Sequence, residues 1–284
     1  MQEQYRDINI GDGKIELVHM SLENLCDLFF EFSNEDRLRI LKTLQNQHLT
    51  VTALSKELEL TTQETSRHLS RLGEVGLSLK NPDGTHCLTG YGELSLKQMT
   101  GYKFITTQKE YFQNHNLSNL PVEFVNRIGE LENSRYVDDV MVIFHLIDQM
   151  IRDAEEYVWR ITDRYIITII PAWNEALERG VTGRLMEPAD IVIPPEFNRG
   201  PVIREAVLNQ RFLIHTLEKV PLFMSLSEKQ VAGICFPAND GRIDYRGFVS
   251  ENPVVLKWAT DLYEYLWSNS EPRTLDELIN EPNS

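Results

Sequence analysis

Cysteine is scarce in this chain of 284 residues. The three present, Cys26, Cys87 and Cys235, stand far apart. Their spacing excludes a disulfide framework and a cysteine-rich zinc site. The 7 histidines include no H-x-x-x-H pair, so no structural metal is expected. No apolar run approaches the roughly 18 residues that a membrane-spanning helix needs. The opening Met1-Gln-Glu-Gln4 lacks the basic and apolar regions of a signal peptide. These absences point to a cytoplasmic protein without a membrane partner, metal or cofactor.

Positive charge is also in short supply, since 28 Lys and Arg face 43 Asp and Glu for a net charge of −15. Phosphate contacts need clustered basic side chains. A chain this acidic therefore cannot bind nucleic acid over its whole surface. It can still do so through one small, locally basic element while the remainder repels non-specific DNA. The stretch 61–80 suits that role, with Arg67, Arg71 and Lys80 set against Glu64 and Glu74.

What is present is a chain long enough for two domains, 42% of it hydrophobic. The opening twenty residues have no clean period, and Lys14-Ile-Glu-Leu-Val18 reads as a short strand. From Ser21 the residues Leu22, Leu25, Leu28, Phe29 and Phe32 recur at helical spacing. Ser33-Asn-Glu-Asp36 then supplies an N-cap and an acidic first turn. The second helix turns Leu38, Ile40, Leu41 and Leu44 inward. A short third helix over 50–58 buries Val51, Leu54 and Leu58.

Thr61-Thr-Gln-Glu64 has the T-x-x-E form of a capping box and opens a fourth helix from Thr62 to about Val75. Gly76 suits the left-handed position that closes it. Thr65, Leu69 and Leu72 stack on the inward side. Gln63, Ser66, Arg67, Ser70 and Arg71 face outward, with Thr62 at the helix start. Short or forked hydrogen-bonding side chains suit a major groove, where Gln and Arg read base edges and Ser or Thr contacts phosphate. A helix that faces only solvent carries Glu/Lys pairs instead. Asn81-Pro-Asp-Gly84, between two alternating segments, signals a hairpin directly after this helix. Lys80, Asn81, Thr85 and His86 are the residues of that wing placed to meet phosphate or the minor groove.

The pieces Asp36-Arg-Leu-Arg-Ile-Leu-Lys-Thr-Leu44, Ala53-Leu-Ser-Lys-Glu-Leu58, Glu64-Thr-Ser-Arg-His-Leu-Ser-Arg-Leu72, Glu74-Val-Gly-Leu77 and Leu88-Thr-Gly-Tyr-Gly92, in this order, resemble the ArsR-type winged helix. The resemblance implies a transcription regulator that binds double-stranded DNA, and a homodimer is the expected form. Metalloid sensors of that family carry paired cysteines where this chain has Leu54-Ser-Lys-Glu57, so metal-triggered release by that route is not expected. The alternative is a winged helix that recruits a protein partner and does not itself touch DNA.

Residues 101–152 read as a helical linker or dimerisation region, in which Asp138–Met150 is amphipathic through Val142, Phe144, Leu146, Ile147 and Met150. Residues 153–284 alternate strands and helices. Strands are expected at Glu156–Thr162, Val181–Met186, Leu222–Leu226 and Val231–Phe236, with helices over Asp163–Arg179 and Pro253–Ser268. That order predicts an α/β effector domain with a partly parallel sheet, giving a mixed α+β chain overall. The proline-rich Glu187–Pro201 is expected to be an exposed loop or lid.

His115-Asn-Leu-Ser-Asn-Leu-Pro121, Phe236-Pro-Ala-Asn-Asp-Gly-Arg-Ile-Asp-Tyr245 and Asn252-Pro-Val-Val-Leu-Lys-Trp-Ala-Thr-Asp-Leu-Tyr-Glu-Tyr-Leu-Trp267 make this half resemble the effector domain of a family of archaeal methanogenesis regulators. A domain of this kind also resembles phospholipase D-like folds, whose chemistry needs H-x-K-x(4)-D. His115, His145 and His215 are followed two positions on by Leu117, Ile147 and Leu217, so that motif is absent. G-x-S-x-G, the P-loop and G-x-G-x-x-G are absent as well, and no enzyme activity is expected. A small-molecule effector is the expected ligand. Ligands of open α/β sheets sit beyond the carboxyl ends of strands, where Asp163, Glu187 and Ser225 fall. Trp258 and Trp267 read as core or interface aromatics rather than as a ligand cage.

Overall fold

The computed structural model describes residues 13–192 and 200–273, in two units divided between Met99 and Thr100. The first unit opens with helix α1 (Gly13–Phe32) and α2 (Glu35–Leu44). Lys14–Val18, expected as a strand, is the start of α1; a five-residue alternation cannot outweigh the helical stripe that follows it. Asn34 caps α2, its side chain accepting from the Arg37 amide at 2.9 Å. Strand β1 (Leu49–Thr50) leads into α3 (Val51–Leu58), and α4 (Thr62–Glu74) follows. Strands β2 (Ser78–Lys80) and β3 (Thr85–Leu88) form the expected hairpin, and α5 (Gly90–Thr107) runs across the division between the units.

The small sheet has the order β1-β3-β2 and is antiparallel throughout, with Leu49 opposite His86 and Lys80 opposite His86 on the other side. Ile40, Leu41, Leu54, Leu72 and Leu77 are fully buried at its core. Gly76 takes φ +75°, the left-handed turn that ends α4 and aims the chain into the hairpin. Gly92 permits a close approach: a Cβ there would lie 2.1 Å from the Leu77 carbonyl oxygen, so any side chain would push α5 off the hairpin.

The second unit is built on an eight-stranded sheet. Before it come α6 (Lys109–Asn114), α7 (Val122–Asn126) and a 3-10 turn over Ile128–Asn133. Then follow β4 (Arg135–Val137), α8 (Val140–Asp153), β5 (Tyr157–Ile161), α9 (Ile170–Glu178), β6 (Thr182–Pro188), α10 (Gly200–Leu208) and β7 (Phe212–Leu217). Strands β8 (Phe223–Ser227), β9 (Val231–Cys235) and β10 (Gly247–Ser250), helix α11 (Pro253–Ser268) and β11 (Glu271–Pro272) complete it. The strand order is β11-β7-β6-β5-β8-β9-β10-β4. Only β5, β6 and β7 run parallel, in two strand–helix–strand units that use α9 and α10, and the other pairs are antiparallel.

Both sheet faces are covered. On one, Ile147 and Ile151 of α8, Trp173 of α9 and Ile203 of α10 pack on Val158, Leu185 and Ile214. On the other, Trp258, Leu262 and Tyr263 of α11 pack on Ile161, Met224 and Ile234. Trp258 is fully buried and donates its indole N–H to the Phe124 carbonyl at 3.3 Å, so it is a core residue.

Four local expectations change. The stretch 101–152, expected as a helical linker or dimerisation region, is part of the second unit: Phe104, Tyr111 and Phe124 enter the core beside α11, and β4 forms an edge of the large sheet. Val142 is exposed on α8, while Ile143, Ile147, Met150 and Ile151 form the buried face. Asp163–Arg179 is not one helix. Pro171 sits in the first turn of α9, where its missing N–H costs nothing, and a 3-10 turn over Ile167–Ile169 precedes it. Within the expected loop over Glu187–Pro201, Glu187 and Pro188 belong to β6 and residues 193–199 lie outside the described residues.

Candidate nucleic-acid interface

Helix α4 is set by its ends. Thr61 Oγ1 accepts from the Glu64 amide at 3.2 Å, and Glu64 Oε2 accepts from the Thr61 amide at 3.2 Å. The capping box read from the sequence is therefore complete. The Thr61 hydroxyl also donates to Glu64 Oε2 at 2.7 Å, which with the backbone bond holds that carboxyl below its usual range. Thr65, His68, Leu69 and Leu72 are buried beneath the helix. Burial depresses the His68 pKa, so its ring favours the neutral form.

The outward side carries Thr62, Gln63, Ser66, Arg67, Ser70, Arg71 and Glu74, which together line one shallow concave surface. Arg67 is exposed and makes no hydrogen bond or ion pair among the described residues. Ser70 Oγ donates to Glu74 at 3.3 Å. This half of the face can present a guanidinium, an amide and hydroxyls to base edges and phosphates.

Arg71 differs from the sequence expectation of a free outward side chain. Its Nε and Nη2 donate to Glu31 Oε1 at 2.9 and 2.7 Å. Glu31 lies at the end of α1 with 1% of its side chain exposed, whereas the Arg71 side chain is 50% exposed. The other carboxylate oxygen pairs with Arg37 Nε at 3.2 Å. Arg37 Nε also donates to the Glu31 carbonyl and Nη2 to that of Phe30, at 2.9 and 2.7 Å. Both guanidinium groups lie over the Phe30 ring, 5.4 and 5.5 Å from its centre. Glu31 falls within the apolar run Leu28-Phe-Phe-Glu-Phe32, and an acidic residue in such a run is the signal that could have revealed this clamp.

The wing is more self-contained than its sequence suggests. Asn81 Nδ2 donates to Thr85 Oγ1 at 3.0 Å, and that hydroxyl donates to Asp83 Oδ1 at 2.7 Å. Asp83 also accepts from the Thr85 amide at 2.9 Å, and the two bonds keep its carboxyl below the usual range. Asn81 and Thr85 are thus engaged in shaping the turn. His86, expected at the wing surface, is buried because its strand position points into the unit. Burial, then the charge of Lys80, lowers its pKa. Lys80 itself is exposed and remains the one cationic group of the hairpin.

In the second unit the three residues selected as ligand contacts do not converge on one point. Asp163 accepts from the Tyr245 hydroxyl at 2.5 Å. Glu187 is fully buried on β6 and is ion-paired with Arg273. Ser225 is fully buried in the middle of β8, where its hydroxyl accepts from Arg160 Nε at 3.0 Å. Arg160, not singled out in the sequence, is the group that reaches a cavity. Among the described residues no cluster suits a metal ion, and no helix is long and apolar enough to cross a membrane.

Residues 34–77 match the family described as bacterial regulatory protein, arsR family, so the first unit carries a helix-turn-helix of that type. No curated protein matches the chain. Among solved structures, TrmBL2, an archaeal chromatin protein, is 14% identical over 84% of this chain and 94% of its own, with a TM-score of 0.41. The homodimeric winged helix-turn-helix DNA-binding domain Mb0332 of Mycobacterium bovis is 18% identical over 39% of this chain and 99% of its own, at 0.30. The phospholipase D family member Nuc of Salmonella typhimurium is 13% identical over 46% of this chain and 90% of its own, at 0.32.

Proposed function

We propose that this chain is a DNA-binding transcription regulator that acts as a homodimer and whose operator affinity is set through its second unit. The observation that carries the DNA-binding part is the arsR-type helix-turn-helix itself, with Gln63, Ser66, Arg67 and Ser70 on the open side of α4. Each α4 enters a major groove, and the two half-sites of a pseudo-palindromic operator lie about 34–36 Å apart. Leu22, Leu25 and Phe30 on α1 and Tyr91 and Leu94 on α5 are exposed apolar residues that a second copy of the chain would cover. The second unit works as a sensor rather than as a catalyst. A ligand that binds it differently in two conformations shifts the spacing of the paired heads, and with it the affinity for DNA.

The acidity of the chain, −15 overall, supports a second reading in which the winged helix recruits a protein and leaves DNA alone. Selection from a random duplex pool separates the two. Enrichment of a two-fold motif is the result expected of the regulator. A pool that stays random at low salt, with and without small-molecule effectors, favours protein recruitment.

A further inference from the structure

Arg160 is an unusual residue for the middle of a sheet. It lies on β5 between β6 and β8, opposite Leu185 on one side and Ser225 on the other, with 4% of its surface exposed. Its Nε is used by Ser225, but Nη2 is buried without a hydrogen-bond partner. No carboxylate among the described residues pairs with it, and its guanidinium carbon lies 5.8 Å from the centre of the Phe223 ring. A buried cation without a counter-ion is costly. Burial depresses its pKa to about 10, which leaves it protonated at neutral pH.

The same side chain lines a cavity of about 50 Å³ between the sheet and the helices α9 and α10. One water needs roughly 10–15 Å³ on that scale, so the space suits a handful of non-hydrogen atoms. Its walls are Ile169 and Trp173, Leu185 of β6, Ile203 of α10, and Phe212 and Ile214 of β7. Arg164 and Thr162 lie where β5 ends, on the carboxyl side of the parallel strands, the usual ligand position in open α/β sheets. The Thr162 hydroxyl is already committed to the Arg164 carbonyl at 2.8 Å. The site thus offers one buried cationic donor, Arg160, in an apolar chamber; the second guanidinium of the lining, Arg164, is paired with Asp163 and lies over the Tyr245 ring, and the Tyr165 hydroxyl donates to Glu187.

We propose that this cavity binds a small aliphatic monocarboxylate, its carboxylate on the free end of Arg160 and its hydrocarbon against Trp173, Ile203 and Ile214. The inference rests on reading the second unit as a sensing domain and names the class of its ligand. The carboxylate supplies the counter-ion that Arg160 lacks, by charge-assisted hydrogen bonds. The apolar wall distinguishes a short hydrocarbon tail from water.

The test is isothermal titration of the full chain, without DNA, with acetate, propionate, isobutyrate and isovalerate, alongside isobutyramide, isovaleramide and inorganic phosphate. At least one acid gives saturable binding, and its amide binds about 10- to 100-fold more weakly, the usual value of a hydrogen bond to a charged group. Arg160→Met removes the binding while leaving the melting temperature no lower, because an uncompensated buried charge has been replaced by an apolar side chain. Ile203→Phe, which keeps Arg160 and fills the chamber, weakens isovalerate more than acetate. The proposal is overturned if no acid saturates up to about 10 mM, ten times a weak Kd of about 1 mM. Binding of phosphate alone, or acid binding unchanged in Arg160→Met, also overturns it. An acid that binds yet leaves operator affinity unchanged contradicts the sensing role and leaves the site standing.

Discussion

Arg71 of α4 and Glu31 of α1 form a two-pronged ion pair, with both Nε and Nη2 on one carboxylate oxygen at 2.9 and 2.7 Å. Glu31 is shared with Arg37, so α1, α2 and α4 meet at a single buried carboxylate. Arg71 is thereby held at the edge of the outward face of α4, while Arg67 on that face makes no hydrogen bond or ion pair among the described residues.

Glu31→Gln removes the charge that compensates Arg37, whose side chain is only 11% exposed. Loss of one partner from a buried pair costs about 3–5 kcal/mol, and the half-exposed Arg71 adds little to that. Urea unfolding followed through helical signal should register the loss in the first unit. Arg71→Met should leave the unfolding midpoint little changed, because Glu31 keeps Arg37.

Thr61→Ala removes the hydroxyl side of the capping box, leaving the Glu64 carboxylate on the backbone amide, and should destabilise the first unit by about 1 kcal/mol, with Thr61→Ser restoring most of it. The same change should reduce DNA affinity only as far as it frays the first turn of α4, where Thr62 and Gln63 lie. Comparing unfolding with binding for the pair of variants checks the distinction.

The boundaries of α4 were legible because a capping box, an inward stripe and a closing glycine are all local signals. The hairpin was legible for the same reason, since Asn81-Pro-Asp-Gly84 leaves the chain few other courses. The Arg71–Glu31 clamp was not, because it joins residues forty positions apart. Strands β4, β7, β10 and β11 escaped notice; β4 and β11 are edge strands of three and two residues. Asp163, Glu187 and Ser225 stand out by strand-end position alone, whereas the residue that reaches the cavity is Arg160, on the strand that leads to Asp163 and between those of Glu187 and Ser225. Its signal was there to read: Val158 and Arg160 share a face of β5, so an arginine occupies an inward slot.

His68 and His86 are both buried with pKa values below the ordinary 6.5. Their unfolded forms bind protons more readily than their folded forms. Stability of the first unit is therefore full above pH 6.5 and declines as pH falls through that value toward the lower folded pKa values. Denaturant midpoints from neutral to mildly acidic pH should show this slope. His68→Gln should flatten it if the small cavity side chain is tolerated, and an unchanged slope in His68→Gln and His86→Gln together would assign it elsewhere.

Lys80 is exposed on the hairpin with no ion-pair partner among the described residues. Lys80→Ala should weaken binding to all duplexes alike and lower the slope of log K against log salt by about 1. Asn81→Ala should act mainly on hairpin stability, because its amide is engaged with Thr85.

The central claim is that the open face of α4 reads DNA sequence. Its most direct test compares the parent chain with Arg67→Ala on the enriched duplex and on a scrambled one, across a salt series. The account predicts a loss of about 1–3 kcal/mol on the enriched duplex, and a much smaller loss on the scrambled one. Equal affinity of the two proteins for the enriched duplex would contradict it.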